Sequence, residues 1–130
     1  MTISQNAPNH ESFETFPNPR PGRRFTIEIE APEFTCVCPK TGHPDFATIR
    51  LRYIPKERCV ELKSYKLYIH AWRNVGIFHE EVTNRLADDL VKALDPLALE
   101  LIGDFHAHGG ITTSVRACYK DGEWTETGLL

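Results

Sequence analysis

The chain has 130 residues, 41% of them hydrophobic, with 18 acidic against 15 basic side chains and a formal charge of −3. That length suits one compact domain with its own core, and the charge balance excludes the basic stripe that extended phosphate-backbone binding requires, while leaving room for a small anionic ligand at a local cluster. No apolar run reaches the length of a membrane span and no basic-then-apolar leader opens the chain, so a cytoplasmic address is expected.

In chain order, residues 1 to 22 are polar and carry Pro8, Pro17, Pro19 and Pro21 with little apolar periodicity. They read as a flexible arm ahead of a single domain over 23–130. From Phe25 the pattern alternates. Phe25, Ile27, Ile29 and Ala31 fall on one face against Thr26, Glu28 and Glu30, and Ala47, Ile49, Leu51 and Tyr53 repeat the pattern against Thr48, Arg50 and Arg52. Two half-buried strands follow, joined by a loop over 38–45. The period then becomes helical: Leu62, Tyr65, Ile69 and Trp72 recur at threes and fours, with Asn74-Val75-Gly76 as a stop. Phe78, Val82, Leu86, Leu90 and Leu94 give a second helix, with Glu80 and Glu81 in its first turn and Asp95-Pro96 at its end. Alternation returns in Leu97, Leu99, Leu101, Phe105 and Ala107, breaks at Gly109-Gly110, and resumes from Ile111 to Tyr119. The order β-β-α-α-β-β predicts an α+β fold, an antiparallel sheet with both helices on one face. Its two long edges invite pairing between identical subunits, so a homo-oligomer is expected.

The loop Cys38-Pro39-Lys40-Thr41-Gly42-His43-Pro44-Asp45 sets a cysteine and a carboxylate across a turn rich in Pro and Gly. A nucleophile and a proton donor on one loop are the parts of covalent catalysis. The thiolate is the reactive form of cysteine, and Lys40 and the N–H groups of a tight turn are available to favour it. A lone cysteine is more often a small buried hydrophobe, and an Asp after Pro more often caps a turn. The prolines and Gly42 argue for Cys38 at a strand end rather than mid-strand. The four cysteines, Cys36, Cys38, Cys59 and Cys118, have neither a zinc-type C-x2-C spacing nor the density of a disulfide scaffold, so reduced thiols are expected.

Three blocks together carry a family resemblance: Phe34 to Ala47 around the cysteine, Val60-Glu61-Leu62-Lys63-Ser64-Tyr65-Lys66-Leu67-Tyr68, and Phe78-His79-Glu80. They resemble the signature blocks of the short, single-domain 7-cyano-7-deazaguanine reductases. The resemblance implies the tunnelling fold, related to GTP cyclohydrolase I, in which sheets join between subunits into a barrel and a purine-like ring binds between protomers. It also implies the reaction, reduction of a nitrile to a primary amine by two NADPH on the route to queuosine in tRNA, on a small-molecule substrate with no direct nucleic-acid contact. Cys38 is then the nucleophile and forms a thioimide, and Asp45 is the acid that protonates the nitrogen. Val60, Glu61, Leu62, His79 and Glu80 are the implied substrate contacts, with Glu80 suited to accept from the ring N–H and NH2 together. Lys63, Ser64 and Lys66 are the implied NADPH contacts, at a helix start where N–H groups and ammonium charges meet phosphates. Without the blocks, Glu80 reads as a helix N-terminal acid, His79 as a solvent-exposed histidine and the lysines as a solvated helix face. No G-x-G-x-x-G loop marks a Rossmann site.

Two positions depart from the family pattern: Leu62 stands where Ser is common, and His108 where Arg is common, which removes a fixed charge from the implied cofactor site. An alternative on the same fold is a zinc-dependent hydrolase of the GTP cyclohydrolase kind. Its ligands would be Cys36 or Cys38 with His79, His106 or His108, since Cys36-x-Cys38 and His106-x-His108 would each show both side chains on one strand face. A third reading is a non-catalytic ligand-binding or assembly module with a structural Cys38.

Overall fold

The computed structural model describes residues 7–126. Five strands form one antiparallel sheet in the order β2-β3-β5-β6-β7: β2 (Ile27–Val37), β3 (Pro44–Ile54), β5 (Ala98–His108), β6 (Ile111–Lys120) and β7 (Glu123–Thr125). Two short strands, β1 (Thr15–Pro17) and β4 (Arg58–Val60), pair separately, and the helices are α1 (Leu62–His70) and α2 (His79–Leu94). The expected β-β-α-α-β-β order is therefore the frame, and the three short strands are additions to it.

Alternation in β3 puts Asp45, Ala47, Ile49, Leu51 and Tyr53 on the buried face, and in β5 it puts Leu99, Leu101 and Phe105 there. Val82, Leu86, Leu90 and Leu94 of α2 complete the same core. The other sheet face is ionic: Arg50 pairs with Asp104 at 2.7 Å and Arg52 with Glu28 at 2.9 Å. A face built of cross-strand ion pairs is one that meets water, so only one side of the sheet carries a core.

Strict alternation fails at two places, and both matter for the site. In β2, Ala31 pairs with Ile49 but Phe34 pairs with Ala47, so one extra residue lies in β2. This bulge returns Phe34 and Cys36 to the core face, where both are fully buried. In β5, Phe105 pairs with Thr113 but His108 with Ile111, again one residue longer on the β5 side.

Gly103 fixes the height of α2 over the sheet. A Cβ there would lie 2.4 Å from Thr83 Oγ1. The first helix is shorter than the apolar spacing implies, since Trp72 belongs to a 3-10 turn over Ala71–Asn74 that follows α1. The Tyr68 hydroxyl donates to Asp89 at 2.7 Å and ties α1 to α2.

The expected arm over 1–22 includes residues 1–6, which lie outside those described. From residue 7 onward this stretch is laid against the body. Phe13 is 8% exposed with its ring centroid 4.2 Å from that of Tyr68, β1 pairs with β4, and the Asn18 amide donates to the carbonyl of Lys56 at 2.9 Å. A three-residue strand and one aromatic anchor are too short to show as periodicity, which is why composition alone suggested flexibility.

Candidate active site

Cys38 follows β2, and its loop closes through two backbone bonds: Cys38 N–H donates to the carbonyl of His43 at 2.8 Å and Gly42 N–H to that of Cys38 at 2.8 Å. Gly42 sits at φ 75°, the left-handed region a side chain resists. The closed loop brings the Thr41 hydroxyl and the N–H groups of Thr41 and Lys40 to the Cys38 sulfur, and these hydrogen bonds hold its thiol pKa below the ordinary value. Cys36, two residues back, is the opposite case: burial, then the charges of Asp45 and Cys38, push its thiol up to about 12. Only one cysteine of the pair has its thiolate favoured.

Asp45 is the second residue of β3 rather than a cap on the turn. It pairs in register with Cys36, faces the core side and is 8% exposed. Its carboxylate lies between two imidazoles, with His79 Nε2 3.2 Å from Oδ2 and His108 Nδ1 3.8 Å from Oδ1. His79 opens α2 and its ring stacks on Phe105, with centroids 3.8 Å apart and planes 8° apart. Phe105 thus positions His79, and Gly103, two residues before it, lets α2 approach closely enough for that stacking. Glu80, the next residue after His79, is exposed in the first turn of α2. Cys38, Asp45, His79 and Glu80 therefore gather at one end of the sheet.

The residues of the second block lie elsewhere. Glu61 caps α1, its carboxylate accepting from Lys63 N–H at 2.6 Å and Ser64 N–H at 2.9 Å, and these bonds lower its pKa. Val60 is buried and donates its N–H to the Tyr53 hydroxyl at 3.0 Å. The Ser64 hydroxyl accepts from Glu14 N–H at 2.9 Å, so it holds the N-terminal segment in place. Leu62, Lys63 and Lys66 are exposed. From Glu61 to the Cys38 end the chain runs through nine residues of α1 and four of the 3-10 turn, a rise of about 20 Å. Within one chain the two groups of implied contacts stand apart.

Two cavities match the two groups. A small one of about 30 Å³ is lined by Asp45, His79, His106 and His108 among others. The larger, about 690 Å³, is a groove between β2 and α1 lined by Leu62, Tyr65, Lys66, Ile69, His70 and Arg73 together with β2. The larger cavity is not the one that holds the acid and its histidines.

The zinc alternative finds no support in these positions. Among the described residues no three His, Cys, Asp or Glu side chains converge to hold a metal ion. His106 and His108 both line the small cavity at Asp45, although the β5 bulge interrupts the alternation between Phe105 and His108. Periodicity also gave no sign of Thr41 at the thiol or of His108 at Asp45, since both contacts depend on a turn or a bulge.

Comparison with known proteins supplies the family. Residues 44–124 match the family described as QueF-like protein. A protein of Anaeromyxobacter sp. (strain K) named NADPH-dependent 7-cyano-7-deazaguanine reductase is 67% identical over 105 residues, covering 81% of this chain and 86% of that one. The chain belongs to the QueF-like family. A relative of the same name from Thiobacillus denitrificans is 57% identical over 114 residues, covering 88% of this chain and 82% of its own. The apo archaeosine synthase QueF-Like superposes on this QueF-like chain with a TM-score of 0.68 at 20% identity, covering 75% of this chain and 95% of that one. It shares the α+β tunnelling fold.

Proposed function

We propose that the chain reduces the nitrile of 7-cyano-7-deazaguanine to the primary amine 7-aminomethyl-7-deazaguanine, consuming two NADPH, in queuosine biosynthesis. One observation carries the reading: a thiol made acidic by its own loop stands beside a buried carboxylate that His79 holds at 3.2 Å. A nitrile carbon is a poor hydride acceptor. Addition of the Cys38 thiolate forms a C–S bond, breaks one C≡N π bond and leaves a thioimide, whose carbon accepts hydride as an activated imine does. Asp45 supplies the proton that the nitrogen takes as the bond forms. Stacked on Phe105, His79 fixes the carboxylate, and the exposed Glu80 accepts from the ring N–H and NH2.

The groups on α1 suit an anionic dinucleotide. Lys63 and Lys66 are exposed, and Leu62, Ile69 and Tyr65 form an apolar wall beside Lys66, His70 and Arg73. NADPH bound there would supply hydride; Lys63 and Lys66 would neutralise its phosphates and Leu62 would pack against a ring. The N–H groups of Lys63 and Ser64 are engaged by Glu61, so the ammonium groups rather than the helix start would carry this contact.

Because the α1 group and the Cys38 group stand apart in one chain, the site is composite, completed by a second protomer. Open sheet edges support this: among the described residues β2 is paired on its outer side only at Val37, which bridges Gly76, and β7 covers β6 only from Cys118 to Lys120, leaving the Ile111 end free. Joining these edges between copies would close a barrel with the ionic face inward. The working protein would be a cytoplasmic homo-oligomer acting on a small molecule, and no helix of the described residues is long and apolar enough to cross a membrane.

Intact-mass spectrometry tests the reading. Mixed with the nitrile and no NADPH, the protein should gain the whole mass of the substrate on the Cys38 peptide, because adding a thiolate across C≡N expels nothing. Cys38→Ala should lose adduct and turnover together. An adduct on Cys36, Cys59 or Cys118, or none at all, overturns it.

A further inference from the structure

Reduction of a nitrile to an amine takes up two hydrides, from the two NADPH consumed, and two protons. Written through, the first proton leaves Asp45 as the C–S bond forms and the π bond breaks, giving the thioimide and an Asp45 carboxylate. The first hydride goes to carbon and a second proton to nitrogen, giving an aminothioether. The C–S bond then breaks, the electron pair returns to the Cys38 sulfur, and the iminium carbon takes the second hydride. One proton must therefore reach the site while the substrate is still bound to the cysteine. The carboxylate that gave the first proton, Asp45, is 8% exposed and has by then given it away.

Resting on the nitrile reduction proposed above, we infer that His108 refills Asp45 with protons from bulk water. Asp45 has two imidazole neighbours, and they differ in access. The His79 side chain is 21% exposed and its ring is clamped flat on Phe105, whereas the His108 side chain is 57% exposed. The β5 bulge is what gives His108 this place: one extra residue between Phe105 and His108 returns it to the face that carries Asp45. The separation of 3.8 Å exceeds a direct hydrogen bond. The cavity of about 30 Å³ that Asp45, His79, His106 and His108 share has room for one water molecule between them. The titratable groups facing His108 are Asp45 from β3, His79 from α2 and His106 from β5. A proton taken from solvent on Nε2 leaves from Nδ1 to Asp45 Oδ1. An arginine at this position would hold a charge but could not pass a proton on.

The experiment compares His108→Ala and His108→Gln with wild type in two assays. In the first, protein and nitrile without NADPH are followed by intact mass, and both variants should form the Cys38 adduct as wild type does, since Asp45 then holds its own proton. In the second, steady NADPH oxidation is measured with and without millimolar imidazole. A loss of roughly ten- to hundredfold in kcat, unchanged nitrile affinity and recovery of most of the rate by imidazole are expected. Glutamine keeps the polarity and much of the size of His108 but passes no proton, so it should match alanine. Wild-type turnover in the variants, or a loss that imidazole leaves untouched, overturns the relay alone. Absence of the adduct in wild type overturns the nitrile chemistry itself and the relay with it.

Discussion

At Cys38 the sulfur receives hydrogen bonds from its own turn, while Cys36 is sealed in the core with its thiol pushed up to about 12. Two residues of separation decide which thiol is sealed and which is reachable, because the β2 bulge and the loop closure place one inside and one at the rim. The sign of the Cys38 shift sets a pH expectation. A lowered pKa means that thiolate is present at lower pH than in a free thiol, so the alkylation rate should rise through that lowered value. Thr41→Ala removes the strongest of the hydrogen bonds that stabilise the thiolate, that of the hydroxyl, and should move the midpoint of this profile upward while Cys36 stays unmodified. An unmoved midpoint by iodoacetamide kinetics would show that the hydroxyl does not set the reactivity.

The helix ends carry the next scale of organisation. At α1 the cap is a carboxylate: Glu61 accepts two N–H bonds, and its pKa is lowered in the folded state. A depressed carboxylate pKa contributes stability above the unfolded value and loses it as pH falls through the folded one. The Tm difference between wild type and Glu61→Ala, present at pH 7, should therefore shrink as pH falls to about 3. Equal differences at both values would deny the charged cap. At α2 the decisive element is a missing side chain. Gly103→Ala drives a Cβ to within 2.4 Å of Thr83 Oγ1, so it should destabilise by about 1–3 kcal/mol in urea titration and disturb His79 above Phe105. Thr83→Ala removes the clashing atom, and the double variant should recover much of the loss. Simple additivity would mean that the two positions are uncoupled.

For the whole molecule, the separation of the two contact groups makes a sharper demand than oligomerisation alone. If each site takes Cys38 and Asp45 from one protomer and Lys63 and Lys66 from the next, Cys38→Ala and a Lys63→Ala, Lys66→Ala double variant should both be inactive alone. Refolded together they should recover roughly a quarter of wild-type activity, because in a closed ring one junction in four joins two intact halves. No recovery in mixed oligomers, confirmed as mixed by mass, would return both groups to one chain.

Alternation and helical spacing were enough to determine the β-β-α-α-β-β frame and the single buried sheet face, because those patterns report burial over many residues at once, and the prolines with Gly42 set Cys38 at a strand end. The three blocks likewise singled out Asp45 and His79, which the fold sets 3.2 Å apart. Tertiary structure decided the rest. The bulge in β2 sets Cys36 opposite Asp45, and the bulge in β5 sends His108 to the same carboxylate, each by one unpaired residue that leaves no periodic trace. The docking of residues 7–18 depends on Phe13, β1 and the Ser64 hydroxyl, single contacts whose partners lie about 50 positions away in the chain. The placement of Val60 to Lys66 far from Cys38 follows from the length and direction of α1, a geometric quantity that residue identities do not carry.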